Sequence, residues 1–318
     1  MPRIDDCDLN LFEFDYDVTF MVFFLSADER VYGRFGGRDA KGPDSRMSLA
    51  GLHYAMAGAL ETHNRGTMDP LAIARQAPKF IRDVRAGRGL GRGCLHCHQV
   101  KERLNAELER SGKWTRDLVW RYPLPDNLGL LLEVDRGNVV ERVDRASAAD
   151  RAGLRAGDVI RQLNGVAVHS FADAQYALDR APVTGVIATS WQRDDTILKG
   201  KLALPEGWRK TDISWRQSMQ KFVPSPRLYG NDLSAKEKEA RGLSSKQLAF
   251  RQEEGVHSQA RDAGIRAGDI VLGLDDKKLE MDVNELHRYV YRNYLRGDWV
   301  AVNILRDGER LRLPMLLR

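Results

Sequence analysis

The chain has 318 residues, of which 42% are hydrophobic and 30% are charged, and its formal net charge is +5. This length predicts two or three domains of an ordinary globular protein. The 50 basic residues are interspersed with 45 acidic ones and there are three cysteines, which excludes the basic stripe of a nucleic-acid-binding surface and a disulfide framework. No stretch of the sequence is apolar enough to cross a bilayer.

The first predicted elements are a β-hairpin and a helix. Residues 17–25 and 29–35 are rich in aromatic and β-branched residues and predict two strands. Ser48 predicts the start of a helix that continues to about Thr62. One apolar face of this helix is formed by residues at helical spacing: Leu49, Leu52, Met56 and Leu60.

The beginning of the chain resembles a known family. Residues 8–17 (DLNLFEFDYD), 23–28 (FFLSAD) and 32–38 (YGRFGGR) are similar to bacterial thioredoxin-like proteins that carry PDZ domains, some of which are predicted selenoproteins. The resemblance implies that residues 1–65 are a partial thioredoxin-like domain, because nothing before Asp8 supplies its first strand and helix. Cys7 is predicted to be a small apolar filler. No signal peptide is visible, so the sequence predicts a cytoplasmic protein as written, or a periplasmic or exported one if its N-terminus is truncated.

Residues 66–120 are predicted to form a helical connector with a Cys-x-x-Cys-His motif at Cys94, Cys97 and His98. This spacing is used for covalent attachment of haem c, with the histidine as the iron ligand. Two other interpretations stay open. A zinc site needs four ligands, of which the motif supplies three. A redox dithiol needs only the two cysteines at a helix N-terminus, where the helix dipole favours thiolates.

The second half of the chain contains an internal repeat. Residues 152–160 (AGLRAGDVI) recur as residues 263–271 (AGIRAGDIV), an offset of 111 residues (263 − 152). A repeat on this scale indicates duplicated domains. The motif resembles the bacterial type of PDZ domain, which implies PDZ domains at residues 121–205 and 246–318 joined by a connector at 206–245. The predicted fold class is α+β, with two small β-barrels capped by helices.

The resemblance to PDZ domains implies a groove between an edge strand and a helix, where an extended peptide adds to the sheet. Ala249 stands in the second copy where a glycine is expected, which makes capture of a terminal carboxylate there less favourable. In the first copy the implied groove residues are Leu128, Gly129, Leu130, Leu131, Gln175, Tyr176 and Leu178. In the second copy they are Leu248, Ala249, Phe250, Leu286 and His287.

These features predict a tandem-PDZ adaptor for protein C-termini or extended peptide segments, with a redox-capable Cys-x-x-Cys-His segment. The alternative is a thiol or haem oxidoreductase whose PDZ domains recruit substrate proteins. No Gly-x-Ser-x-Gly pattern occurs, and Ser147 and Ser170 lie inside the first PDZ copy, so a serine protease is not expected. By itself the chain is expected not to be an enzyme, or else to be an oxidoreductase. Self-association into a homo-oligomer is left open.

Overall fold

The computed structural model describes residues 6–66, 77–84 and 95–318. It divides into two compact units, Met1–Thr211 with Trp215–Ser218, and Asp212–Ser214 with Met219–Arg318. The five-segment division predicted from the sequence is finer than this, and its boundaries stay a prediction. Within the described ranges, no helix combines the length and apolar character that crossing a membrane requires.

The first unit begins with the predicted hairpin and helix. Strands β1 (Met21–Leu25) and β2 (Val31–Gly36) are antiparallel. Helix α1 (Leu49–Asn64) begins after Ser48, whose side chain accepts a hydrogen bond from the Gly51 N–H. The thioredoxin-like interpretation is not supported, because in the described part of the chain β1 and β2 pair only with each other.

Helix α1 buries a different face from the one that the sequence predicts. Leu49, Met56 and Leu60 are 69%, 49% and 57% exposed. The buried residues of the helix are Gly51, Ala55 and Ala59. Backbone atoms come close on this side, since a side-chain carbon placed on Gly51 would lie 2.6 Å from the Val134 carbonyl oxygen. Small residues therefore face the protein, and the larger apolar ones face outward.

Helix α2 (Cys97–Arg110) lies within the predicted helical connector, of which residues 67–76 and 85–94 lie outside the described residues. Its Val100 packs into a small apolar core of the first unit. The other buried members of this core are Leu9, Phe14, Tyr16, Ile81 and Val84.

The first repeated module forms the larger core of the first unit. A two-stranded sheet pairs β3 with β4, and a four-stranded sheet has the order β6-β5-β7-β8. Helix α4 starts after Ser170, which caps it by accepting from the Asp173 N–H. The elements are β3 (Leu130–Leu132), β4 (Val140–Val143), α3 (Ala148–Arg151), β5 (Val159–Leu163), β6 (Val166–Ala167), α4 (Phe171–Asp179), β7 (Gly185–Arg193) and β8 (Thr196–Leu204).

The second repeated module dominates the second unit, whose sheet has the order β13-β12-β11-β10-β9. Its first strand begins at Gly230, inside the segment that the sequence assigns to the connector. Asp282 caps α7 in the same way that Ser170 caps α4. The elements are β9 (Gly230–Asp232), α5 (Ala235–Glu239), β10 (Phe250–Gln252), α6 (Ser258–Asp262), β11 (Ile270–Leu274), α7 (Val283–Asn293), β12 (Trp299–Arg306) and β13 (Glu309–Leu316).

Candidate peptide-binding grooves

The groove of the first module lies between β3 and α4. Among the described strands, β3 pairs with β4 alone, so its other edge faces the helix without a strand partner. The loop before β3 turns at Gly129, whose φ is +76°. A side-chain carbon at this glycine would lie 2.2 Å from Ser147 Cβ, so the loop requires glycine for both conformation and space. This geometry agrees with the predicted loop.

The structure brings most of the predicted residues of the first module to this groove. Leu128 and Leu130 are 2% and 1% exposed, and Leu131 is half-buried. Gln175 is 2% exposed and its Nε2 donates to the Tyr122 carbonyl oxygen at 3.2 Å. Leu178 is completely buried and, like Leu128, Leu130 and Tyr176, belongs to the apolar core of the domain.

The predicted edge of the second module is placed elsewhere by the structure. Phe250 lies on β10, where it pairs with Asp232 of β9 on one side and Val271 of β11 on the other. Leu248 and Ala249 precede this interior strand and are fully buried. Ala249 is absent from the residues with positive φ, so the expected conflict with its side chain does not arise. In the described part of the chain, the edge strand on this side of the sheet is β9, and the opposite edge is β13.

The loop that precedes β9 therefore corresponds to the loop that precedes β3. Arg227 has a φ of +51°, in the left-handed region that Gly129 occupies in the first module. Each of these residues is followed by a fully buried leucine, Leu228 or Leu130. Sequence reasoning missed Arg227, Leu228 and Tyr229 because it searched for a glycine nearer to the repeated motif. From Gly129 to Ala152 is 23 residues (152 − 129), whereas from Arg227 to Ala263 is 36 (263 − 227), and the longer interval holds helix α5.

A histidine of helix α7 contacts the chain just before β9. His287 Nε2 lies 2.7 Å from the Leu228 carbonyl oxygen, and the His287 ring meets the Tyr229 ring edge to face at 5.3 Å. His287 itself is half-buried. The neighbouring predicted residue Leu286 is completely buried in the domain core. His287 therefore lines the groove, and Leu286 supports the helix from behind.

A buried carboxylate lies on helix α4 of the first module. Asp173 accepts hydrogen bonds from the backbone N–H groups of Arg34 and His169, at 2.8 and 3.1 Å. Burial raises its pKa to about 7, although the nearby Arg34 guanidinium opposes this shift. The ring of Tyr176, one of the predicted groove residues, is covered by the same guanidinium at 3.5 Å from its centroid. Tyr176 therefore faces the hairpin of the first unit.

The cysteine–histidine motif can be described only in part, because Cys94 lies outside the described residues. Cys97 begins α2, and burial raises the pKa of its thiol, the opposite of the effect expected from the helix dipole. His98 Nδ1 lies 3.0 Å from Glu102 Oε1. Within the described residues, no group of three or more His, Cys, Asp and Glu side chains could hold a metal ion. The haem c prediction depends on Cys94 and stays a prediction.

Comparison with known proteins identifies the two modules. Residues 139–193 and 251–317 each match a family model described as a PDZ domain. A probable periplasmic serine protease do/HhoA-like of Haemophilus influenzae is 29% identical over 182 residues, which are 57% of this chain and 36% of the relative. Periplasmic serine endoprotease DegP of Salmonella typhimurium is 27% identical over 202 residues, 60% of this chain and 37% of the relative. The chain thus spans little more than a third of these relatives' length.

Solved structures of HtrA-type proteases also match part of the chain. The structure of AlgW with a tripeptide has a TM-score of 0.28 and 14% identity, and the match covers 51% of this chain and 54% of that chain. The structure of AlgW with a decapeptide has a TM-score of 0.25 and 16% identity, with 42% of each chain covered. Scores this low carry no structural argument.

The relatives correct several predictions made from the sequence. They are serine proteases, so the prediction of a redox-capable adaptor, and of a redox enzyme as its alternative, is wrong. The expectation that the chain is neither an enzyme by itself nor a serine protease is contradicted by the same finding. Membership of a thioredoxin-like selenoprotein family is not supported. The chain contains two PDZ domains, and its named relatives are periplasmic serine proteases.

Proposed function

We propose that this protein takes part in proteolysis of the HtrA type, and that its second PDZ domain binds extended peptide segments or C-termini of proteins. The relatives support the link to proteolysis because they are named serine proteases. They also support a periplasmic location, which their names state. The observation that carries peptide binding is the edge of β9, which has no strand partner among the described residues and lies beside α7.

The backbone around β9 is suited to adding a strand. The Tyr229 carbonyl accepts from the Glu253 N–H at 3.1 Å, on the side of β10. The backbone N–H and C=O groups of successive residues in an extended chain point to opposite sides. The backbone groups of Leu228 and Gly230 therefore point towards the groove. An incoming peptide pairs with these groups after His287 leaves the Leu228 carbonyl oxygen, and side chains at alternate positions enter the space beside α7. Arg227 is exposed on the preceding loop, so its positive charge complements a terminal carboxylate.

Peptide binding is tested with two fluorescein-labelled decapeptides of the same sequence, one ending in a free carboxylate and the other in a carboxamide. Fluorescence anisotropy measures the Kd of each peptide for the full chain. The decapeptide sequence is first selected for binding from a library of peptides with random C-terminal residues. We expect the free acid to bind about tenfold more tightly, because a charge-assisted hydrogen bond is lost with the amide. Equal Kd values for the acid and the amide would contradict recognition of the terminal carboxylate. A library that yields no binders would contradict peptide binding itself.

Proteolysis is tested separately, because it concerns the activity of the whole protein. The full chain is incubated with a fluorophosphonate probe, which labels an activated serine, and with an unfolded casein as substrate. We expect labelling of one serine, identified by mass spectrometry, together with cleavage of casein that the probe abolishes. Casein cleavage that is insensitive to the probe, or no labelling of the folded protein, would contradict a serine protease.

A further inference from the structure

The groove of the first PDZ domain differs from that of the second in how far its lining is buried. Phe171 and Gln175, which lie one and five residues after the cap of α4, are 3% and 2% exposed. His287, five residues after the cap of α7, remains half-buried. Leu132 on the facing strand is 1% exposed, whereas its counterpart on β9, Gly230, is half-buried. A groove open to peptides leaves such residues partly accessible, so another part of the first unit covers this one.

The covering begins where strand β2 lies along helix α4. The Arg34 N–H donates to Asp173 Oδ1 at 2.8 Å, and the Arg34 carbonyl accepts a hydrogen bond from the Ser170 hydroxyl. Both backbone groups of one residue of β2 are thereby held by the first turn of α4. The Arg34 guanidinium lies over the Tyr176 ring, at 3.5 Å from its centroid. These contacts dock the hairpin on the helix that forms one wall of the groove.

The chain then passes directly over the groove face of α4. At Gly37 a side-chain carbon would lie 2.7 Å from Phe171 Cδ1 and 3.5 Å from Gln175 Oε1. These two helix residues are four positions apart and therefore lie on one face. Gly37 also has a φ of +119°, which favours glycine. The backbone at Gly37 thus fills space that side chains of a bound peptide would need.

Arg46 completes the cover by joining both walls of the groove. Its Nη1 donates to the Leu132 carbonyl oxygen of β3 at 3.1 Å, and its guanidinium lies over the Phe171 ring at 4.8 Å from the centroid. Its Nε donates a hydrogen bond to Asp39 Oδ2 at 2.8 Å, and its Nη2 donates one to Asp126 Oδ1 at 3.3 Å. The side chain is nearly inaccessible, at 5% exposure. The Leu132 carbonyl belongs to the edge that a bound peptide would pair with, so Arg46 occupies a backbone acceptor of the groove.

We propose that residues 33–46 are an intramolecular blocking segment, which keeps the first PDZ groove closed until it is displaced. The inference rests on the proposed function, since it concerns the same class of peptide ligand. A peptide that enters the first groove must first replace the Arg46 contact with Leu132 and lift Gly37 from Phe171. Its apparent affinity is therefore the intrinsic affinity multiplied by the fraction of molecules in which the blocking segment is displaced. In the second domain a peptide displaces one side chain, His287, from the Leu228 carbonyl oxygen, so this groove is the more accessible of the two.

The experiment reads the two grooves separately by hydrogen–deuterium exchange of the full chain. The probe is a pool of decapeptides with free carboxylates, whose last three positions are drawn from Ala, Val, Leu and Phe. With the pool at about ten times its Kd, we expect exchange at residues 228–232 of the wild type to slow about tenfold and exchange at residues 128–132 not to change. In Arg46→Ala, residues 128–132 are expected to gain protection of similar size.

Two further variants keep the result interpretable. Asp126→Asn weakens the hold on Arg46 without removing it, and serves if Arg46→Ala does not fold by circular dichroism. Arg142→Ala removes an exposed arginine of β4, 64% accessible, and is expected to behave as the wild type. Protection at both grooves of the wild type, or at residues 228–232 alone in every folded variant, would overturn the blocking segment. Protection at neither groove in any variant would instead overturn the proposed peptide binding.

Discussion

Arg193 and Asp158 form a two-point ion pair in which Nε and Nη2 of the arginine each donate a 2.8 Å hydrogen bond to one carboxylate oxygen. Arg193 Nη2 also donates to the Gly153 carbonyl at 2.7 Å. In the second PDZ domain Arg306 repeats the arrangement with Asp269 at the same distances. The aspartate of the repeated Ala-Gly-x-Arg-Ala-Gly-Asp motif thus ties the loop before β5 or β11 to the end of a later strand. The motif is a structural clamp.

Loss of the clamp arginine is expected to destabilise the first PDZ domain. Arg193→Ala leaves Asp158, which is 1% exposed, as a buried carboxylate without its counter-charge. Asp158→Asn is expected to lower the melting temperature less, because its side chain still accepts from the Arg155 N–H. Arg142→Ala, which breaks an exposed pair with Asp144, serves as the control and should have little effect. Thermal unfolding followed by circular dichroism measures all three, and equal melting temperatures for the two arginine variants would contradict the clamp.

The two loops that precede the edge strands are expected to differ in their sensitivity to substitution. Gly129→Ala places a carbon 2.2 Å from Ser147 Cβ at a φ of +76°, so it should lower the free energy of unfolding by more than about 1 kcal/mol. Arg227→Gly removes the strain of a non-glycine residue at a φ of +51° and should change stability by less than about 1 kcal/mol. Urea unfolding measures both. A tolerated Gly129→Ala would show that the loop can relax.

These loops also show what the sequence could and could not predict. The repeat could be recognised in the sequence because Gly157 and Gly268 have φ values of +87° and +83°, and such positions strongly favour glycine. The second edge strand, β9, could not be recognised in the sequence. Arg227 occupies the position with left-handed backbone conformation where a glycine was expected, and helix α5 separates β9 from the repeated motif. The blocking segment depends on contacts between residues 86 and 139 positions apart, Arg46 with Leu132 and Arg34 with Asp173. No local pattern encodes contacts of this kind.

The Asp173 carboxyl is expected to make stability depend on pH. Its folded-state pKa, raised to about 7 from 3.8 by burial, means that the folded protein binds this proton more tightly than the unfolded chain does. The contribution to the free energy of unfolding therefore falls as pH rises from about 4 to about 7, by at most about 4 kcal/mol, and is constant above that window. Asp173→Asn keeps an oxygen acceptor for the Arg34 N–H and should lose this dependence.

Urea unfolding of the wild type and of Asp173→Asn at pH 4, 5, 6 and 7 tests this expectation. The variant should gain stability relative to the wild type as the pH rises, whatever the offset between them at pH 4. The comparison cancels the titration of the other carboxylates, which both proteins share. His169 is close to this carboxyl, and burial lowers its pKa. Parallel curves across the four pH values would show that Asp173 titrates near its ordinary pKa.

The Cys97 thiol is expected to react slowly with thiol reagents. Burial raises its pKa, so less thiolate is present at pH 8 than in an exposed cysteine. A variant with Cys7→Ser and Cys94→Ser leaves Cys97 as the only thiol. Its reaction with Ellman's reagent should be slower in the native protein than in denaturing urea, and should accelerate as the pH is raised further. Equal rates in the two conditions would contradict a buried thiol.

Removal of His287 is expected to open the second groove. Its Nε2 lies 2.7 Å from the Leu228 carbonyl oxygen, which is one of the acceptors that a peptide must use. His287→Ala frees this acceptor, and one hydrogen bond of ordinary strength corresponds to an affinity gain of about 2- to 10-fold. Fluorescence anisotropy with the free-acid decapeptide measures the change. Arg288→Ala, on the exposed side of the same helix, is the matched control and should leave the Kd unchanged. Weaker binding by His287→Ala alone would show instead that the histidine contacts the peptide directly, and that the groove opens by a different movement.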